Sequence, residues 1–172
     1  MARYFLEVAY KGTRFSGFQI QDNAPTIQAE LEKALNTISG FNSRIVDEGD
    51  QEIKLTGSSR TDAGVHALQN YFHFDYAGLL HSQLLYKLNA VISKDIVIKH
   101  LFEMPPDAHA RFDAISREYQ YNIHQVKDPF RQDTSFYYPY KLDAIKLKEA
   151  AALIKEQNNF FAFAKTNSQV SN

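Results

Sequence analysis

Between residues 57 and 67 the chain reads Gly57-Ser58-Ser59-Arg60-Thr61-Asp62-Ala63-Gly64-Val65-His66-Ala67. Two glycines, two serines and a threonine suit a loop whose shape is set by its backbone. Such a loop can hold the Asp62 carboxylate in the open, beside the Arg60 guanidinium. A neighbouring cation favours the ionised carboxylate, which is the form that acts as nucleophile or base. Plainer readings stand beside this one. Asp62 can cap the following turn with Arg60 as ordinary surface, or the glycines can cradle a phosphate. Against the phosphate, no Walker lysine follows and the spacing fits neither standard glycine fingerprint. A second group with chemistry is the pair Tyr119 and Tyr121 in Glu118–His124 (EYQYNIH). They can offer an aromatic face and a hydroxyl, or share one face of a strand and fill core. The six histidines are scattered without a pair at ligand spacing, and there is no cysteine. A thiol nucleophile, a disulfide scaffold and Cys-based metal sites are excluded.

These groups need elements to position them. Arg3–Tyr10 (RYFLEVAY) reads as a largely buried strand, followed by the Gly-punctuated loop KGTRFSGFQIQDNAP. Pro25-Thr26 opens a helical pattern carried by Ile27, Leu31, Ala34, Leu35 and Ile38, with Gly40 as its stop. Ser43–Val46 and Ile53–Leu55 read as extended and flank an acidic turn, DEGDQE. After the 57–67 loop, Gln69–Phe74 alternates as a strand. Ser82–Ile92 has Leu84, Leu85, Leu88 and Val91 at helical spacing, and Ile96–Phe102 is another strand. The order β-α-β-β-α-β is the split βαβ or ferredoxin-like pattern, with two helices on one face of a mostly antiparallel sheet. It occupies residues 1–103.

From Met104 a second, partial α+β unit begins and runs to residue 172. It contains a strand over Glu118–His124, an aromatic connection over Lys127–Pro139, and a helix over Ala144–Gln157. Asp143 is that helix's N-cap, and Ile145, Leu147, Ala150, Ala151 and Ile154 form its apolar side. The chain of 172 residues carries 19 Lys+Arg against 20 Asp+Glu, a formal charge of −1. Any polyanion site is therefore a local patch and not a basic coat. No apolar segment approaches the roughly 18 residues of a membrane span and no leader pattern opens the chain, so a cytoplasmic location is expected.

The 57–67 string resembles the active-site loop of the TruA family of tRNA pseudouridine synthases, and three other stretches follow in family order. Gly17-Phe18-Gln19-Ile20-Gln21 is similar to the family's GWQ-type segment. Ala110-Arg111-Phe112-Asp113-Ala114-Ile115-Ser116-Arg117-Glu118-Tyr119-Gln120-Tyr121 resembles its ARF…R-x-Y-x-Y segment. Asn159-Phe160-Phe161-Ala162-Phe163 resembles its DF-x-SF segment.

The resemblance implies a pseudouridine synthase fold and isomerisation of uridine at positions 38, 39 and 40 of the tRNA anticodon stem-loop. It implies no cofactor and no metal, and a homodimer at full family length. Asp62 is then the catalytic aspartate, acting on C1′ of the ribose or by removing a sugar proton. Arg60 is the loop arginine that can pair with it, and Tyr119 the active-site tyrosine, leaving Tyr121 and the FFAF stretch to packing. Arg111, Arg117, Arg14, Lys11, Gln19 and Gln21 are candidate phosphate and base-edge contacts. The sequence departs from the family pattern at Ser59, where glycine is common, at Phe18 for tryptophan, and at Asn159 for aspartate. Members continue for about another half-domain with a further basic partner for the aspartate, so the chain reads as the front part of a longer enzyme. A non-catalytic ferredoxin-like RNA-binding module and an Asp-dependent hydrolase or phosphotransferase are the competing readings.

Overall fold

The computed structural model describes residues 1–42, 52–77 and 80–163. The chain divides into two units, Met1–Gln120 and Tyr121–Asn172. The first contains β1 (Ala2–Tyr10), α1 (Ile27–Asn42), β2 (Thr56–Gly57), β3 (Ala67–Tyr76), α2 (Leu84–Val91) and β4 (Ile96–Met104). The sheet order is β2-β3-β1-β4, with every neighbouring pair antiparallel. This is the arrangement expected of a split βαβ unit, in which β1 sits between the two returning strands.

Period-two alternation explains the sheet. Tyr4, Leu6, Val8 and Tyr10 of β1 are buried toward the helices, as are Phe72 and Phe74 of β3 and Ile96 and Ile98 of β4. Leu6 is opposite Phe72 on one side and Leu101 on the other. The helices close this face. All five apolar positions read from α1 (Ile27, Leu31, Ala34, Leu35, Ile38) are buried, and so are Leu84 and Leu88 of α2. Val91 of α2, grouped with them by spacing, is exposed. Gly40 does not stop α1, which continues to Asn42. A helical glycine costs about 1 kcal/mol, too little to end a helix anchored by five buried side chains.

Ile53–Leu55 corrects a second expectation. Ile53 and Leu55 are buried and Lys54 is exposed, as in a strand, but these residues do not join the sheet. Their backbone groups are bound by a polar stripe on α1, whose residues Gln28, Glu32 and Asn36 recur every four positions. Ile53 N donates to Asn36 Oδ1 (2.8 Å) and Leu55 N to Glu32 Oε1 (2.8 Å). Asn36 Nδ2 and Gln28 Nε2 donate back to the carbonyls of Ile53 and Leu55. Asn89 of α2 repeats the device on β4, accepting from Ile98 N and donating to Ile98 O. Ser43–Val46 and most of the acidic turn lie outside the described residues.

Residues 104–120, read from sequence as the opening of a second unit, pack on the first. Arg3 Nη1 donates to Ala108 O (2.8 Å) and Ala110 N donates to His73 Nδ1 (3.2 Å). In the second unit, the strand read over Glu118–His124 shrinks to β5 (Ile123–His124), paired in parallel with β6 (Phe136–Tyr137). Alternation alone makes no strand where no neighbour supplies a ladder. α3 (Ala144–Lys155) is capped as expected: Asp143 Oδ1 accepts from Ile145 N and Lys146 N. Its apolar side is exposed, and so are Phe160, Phe161 and Phe163, which the sequence assigned to packing.

Among the described residues no helix is long and apolar enough to cross a membrane.

Candidate active site

The 57–67 loop bridges β2 and β3, and it is fixed mainly by the segment that follows β1. That segment is itself held by the start of α1. Thr26 caps the helix, its hydroxyl accepting from Ala29 N (3.3 Å). The first two helical N–H groups, which have no partner inside a helix, donate to Gly17 O (3.2 Å) and Phe18 O (3.0 Å). Phe18 N then donates to Thr61 O (2.9 Å), the residue before Asp62. Gly17 is required here: its φ is +95°, and a Cβ on it would lie 2.7 Å from Thr61 O. The Phe18 ring stacks on Phe72 with centroids 4.9 Å apart, an aromatic anchor in the core.

Two more ties come from the same segment. Gly64 N donates to Phe15 O (3.2 Å), and Gly12 N donates to His66 Nδ1 (2.9 Å). A Cβ on Gly12 would stand 2.0 Å from Val65 O, so only glycine lets the two backbones approach this closely. Within the loop, Val65 N donates to Asp62 O (3.2 Å), and Gly64 at the third turn position has φ +77°, the signature of a type II turn. The Asp62 main chain is therefore restrained at its own carbonyl and at the residue before it.

Below the loop lies a polar network that sequence reasoning missed. The Tyr10 hydroxyl meets Thr61 Oγ1 (2.9 Å) and accepts from Asn70 Nδ2 (3.2 Å). Asn70 Oδ1 accepts from Ser58 Oγ (2.6 Å) and Ser59 Oγ (3.2 Å). Tyr10 and Asn70 are both buried, and burial pushes the Tyr10 phenol above its ordinary value against the opposing hydrogen bonds from Thr61 and Asn70. Ser59 is thus tied to the floor of the loop. The signal for this network was present in the alternation: Tyr10 continues the inward series 4-6-8, and Asn70 begins the inward series 70-72-74. Both are polar-tipped residues at the loop end of apolar faces.

Arg60 and Asp62 are exposed, and among the described residues no ion pair joins them. The expected Arg60–Asp62 pairing is not formed in the free chain; the loop holds the carboxylate by its backbone alone. Tyr119 is 74% exposed. Tyr121, assigned to packing, is 86% exposed.

The segment leading to Tyr119 is built on two histidines. His73 of β3 is stacked on Phe5 (5.5 Å) and edge-on to His109 (4.7 Å). Its Nδ1 accepts from Ala110 N, and burial, aided by Arg3 and His109, depresses its pKa to about 4. His109 Nδ1 in turn accepts from Arg111 N and Phe112 N. Arg111 is exposed with its guanidinium over the Phe112 ring, while Arg117 donates to Ser58 O (3.1 and 2.7 Å) and Arg111 O (3.0 Å).

The remaining candidate contacts separate. Arg14 is paired with Asp95, and Gln21 Nε2 donates to Ser16 O (2.8 Å), closing its own loop. Lys11 and Gln19 are exposed beside them. Among the described residues no group of three or more His, Asp or Glu side chains is placed to hold a metal ion.

The family model described as tRNA pseudouridine synthase matches residues 7–113, a stretch that contains the end of β1 from Glu7, the whole 57–67 loop and the His109–Asp113 turn. A Porphyromonas gingivalis protein named tRNA pseudouridine synthase A is 40% identical over 173 residues, covering 99% of this chain and 65% of the relative. Proteins of the same name from Bacteroides fragilis and Staphylococcus aureus are 39% and 34% identical, each over 98% of this chain. The chain spans 61% to 65% of the length of these three curated relatives. A match that runs through the restrained aspartate loop and the glycines that pin it assigns the family: the chain belongs to the tRNA pseudouridine synthases.

Proposed function

We propose that this chain isomerises uridine to pseudouridine in tRNA, with Asp62 as the group that acts on the ribose. The observation that carries the proposal is an exposed carboxylate on a backbone restrained from both sides. A reacting carboxylate must be reachable and pre-placed at once, because positioning accounts for much of a catalyst's advantage. In the reaction the N1–C1′ bond breaks, the uracil turns, and a C5–C1′ bond forms while C5 loses its proton and N1 gains one. Asp62 either adds to C1′ or removes a sugar proton; both begin from the ionised carboxylate. Tyr119 offers a ring on which a flipped uracil can stack and a hydroxyl that can take part in the proton transfer at C5. Arg60, Arg111, Lys11 and Gln19 are exposed groups suited to phosphate and base-edge contacts.

The substrate proposed is the tRNA anticodon stem-loop at positions 38, 39 and 40, read by shape and backbone more than by sequence. Extruding a stacked uridine costs a few kcal/mol, and with a net charge of −1 the binding face is a concentrated patch. A homodimer presenting both patches to one tRNA, in the cytoplasm and without cofactor or metal, completes the reading. The test is release of tritium from tRNA labelled at uracil C5, with the Porphyromonas gingivalis relative as positive control. This chain should release tritium and Asp62→Asn should not, while keeping its fold. No release from this chain beside an active relative would overturn the proposal, and tRNA binding without release would point to a non-catalytic RNA-binding module.

A further inference from the structure

Arg117 sits two residues before Tyr119 and is one of the arginines that the sequence grouped as an RNA contact. The residue is exposed, and its guanidinium is turned onto two backbone carbonyls. Nε and Nη2 both donate to the Ser58 carbonyl, at 3.1 and 2.7 Å, and Nη2 also donates to the Arg111 carbonyl at 3.0 Å. A guanidinium has five N–H donors arranged in a plane, and its grip on a phosphate uses two parallel ones along an edge. Here the Nε–Nη2 edge is spent on Ser58, and the Nη1–Nη2 edge has lost its Nη2 member to Arg111. Neither edge is left whole for a phosphate.

The two carbonyls it joins belong to different parts of the site. Ser58 opens the aspartate loop and is already fixed to β3, its N–H donating to Tyr71 O (2.7 Å) and its hydroxyl to Asn70 (2.6 Å). Arg111 belongs to the turn that His109 and His73 hold against the other face of the sheet. One side chain thus ties the loop carrying Asp62 to the segment carrying Tyr119, across 59 residues of sequence.

We infer that Arg117 is a positioning residue: it sets the Tyr119 segment against the Asp62 loop and makes no phosphate contact. The inference rests on the reading of Asp62 and Tyr119 as the reacting groups. Lysine cannot take its place, because an ammonium is a point donor at the end of a flexible stem and does not bridge two carbonyls in one plane.

The test uses Arg117→Gln and Arg117→Lys in three measurements. Hydrogen exchange should rise at least about tenfold over residues 58–66 in both variants, with exchange in β1 unchanged. In tRNA binding, the dissociation constant should stay within about twofold. Its logarithmic salt dependence should keep the parent slope, where loss of one phosphate contact would reduce it by about 0.9. The single-turnover rate at saturating tRNA should fall at least about tenfold in both variants, so that lysine restores the charge but not the rate. Unchanged loop exchange, or a salt slope lowered by about one with the rate retained, would overturn the inference. Should the parent chain release no tritium, the functional reading fails by itself, and the exchange measurement still decides whether Arg117 is the clamp.

Discussion

Deleting one oxygen tests whether the polar floor of the aspartate loop holds it. Tyr10→Phe keeps the ring in the core and removes the hydroxyl that joins Thr61 Oγ1 at 2.9 Å to Asn70 Nδ2 at 3.2 Å. Each lost hydrogen bond is worth about 1 kcal/mol net. The two ends then behave differently. Thr61 is half-buried and can turn its hydroxyl to water, whereas Asn70 is buried and leaves an amide N–H without a partner. That adds roughly 1 kcal/mol, for a total of about 2–3 kcal/mol. Tyr4→Phe is the internal control. Tyr4 lies on the same face of the same strand, is also buried, and among the described residues its hydroxyl makes no hydrogen bond. It should change stability by less than about 0.5 kcal/mol. Urea unfolding measures both, and with m near 1–3 kcal/mol/M the Tyr10 variant's midpoint should drop by about 1 M or more. Hydrogen exchange should quicken over residues 58–62 in Tyr10→Phe alone. If the two variants lose the same stability, or if loop exchange does not respond, Tyr10 is packing and the floor does not position the loop.

Two more outcomes follow from the same geometry. His73 has a folded pKa near 4, below the ordinary value of about 6.5. The unfolded chain therefore takes up the proton first, so stability is full above pH 6.5 and declines as pH falls toward 4, by about 2 kcal/mol at pH 5. Urea midpoints at pH 7 and pH 5 should show this loss, and His73→Gln, which can still accept from Ala110 N, should remove most of it. Gly17→Ala should cost about 2–3 kcal/mol, because it adds a strained φ of +95° to a Cβ placed 2.7 Å from Thr61 O. Gly64→Ala, with φ +77° and nothing within 4 Å of its Cβ, should cost only about 1 kcal/mol by the same unfolding measurement.

What could be read from the sequence was what is local. The α1 stripe, the Asp143 cap and the inward faces of β1 and β3 depend on spacings of a few residues, and the structure contains them. The 57–67 loop was legible because glycines and small polar residues announce irregular backbone. The misses share a physical cause, which is that their partners are distant in the chain. Ile53–Leu55 has a strand's alternation, but its hydrogen bonds go to Gln28, Glu32 and Asn36 of a helix. Glu118–Tyr121 alternates too, and among the described residues no strand pairs with it. Arg117 looks from sequence like any surface arginine. Only the fold shows its donors turned onto Ser58 and Arg111.

The placement of Asp62 also shows why the loop can combine exposure with order. Asp62 is exposed, and among the described residues no ion pair holds its carboxylate, so its own oxygens do not order it. Restraint has to come through the main chain around it. Thr61 O, Asp62 O and Gly64 N are engaged by Phe18 N, Val65 N and Phe15 O, and Ser58 O by Arg117. Backbone ties of this kind need close approach, which Gly12 and Gly17 permit, and a tight turn, which the φ of +77° at Gly64 supplies. Every anchor lies between Tyr10 and Arg117, inside the first unit. The geometry of the carboxylate is accordingly a property of that unit's own folding. Its stability and the order of the aspartate loop should therefore rise and fall together under any perturbation of these contacts.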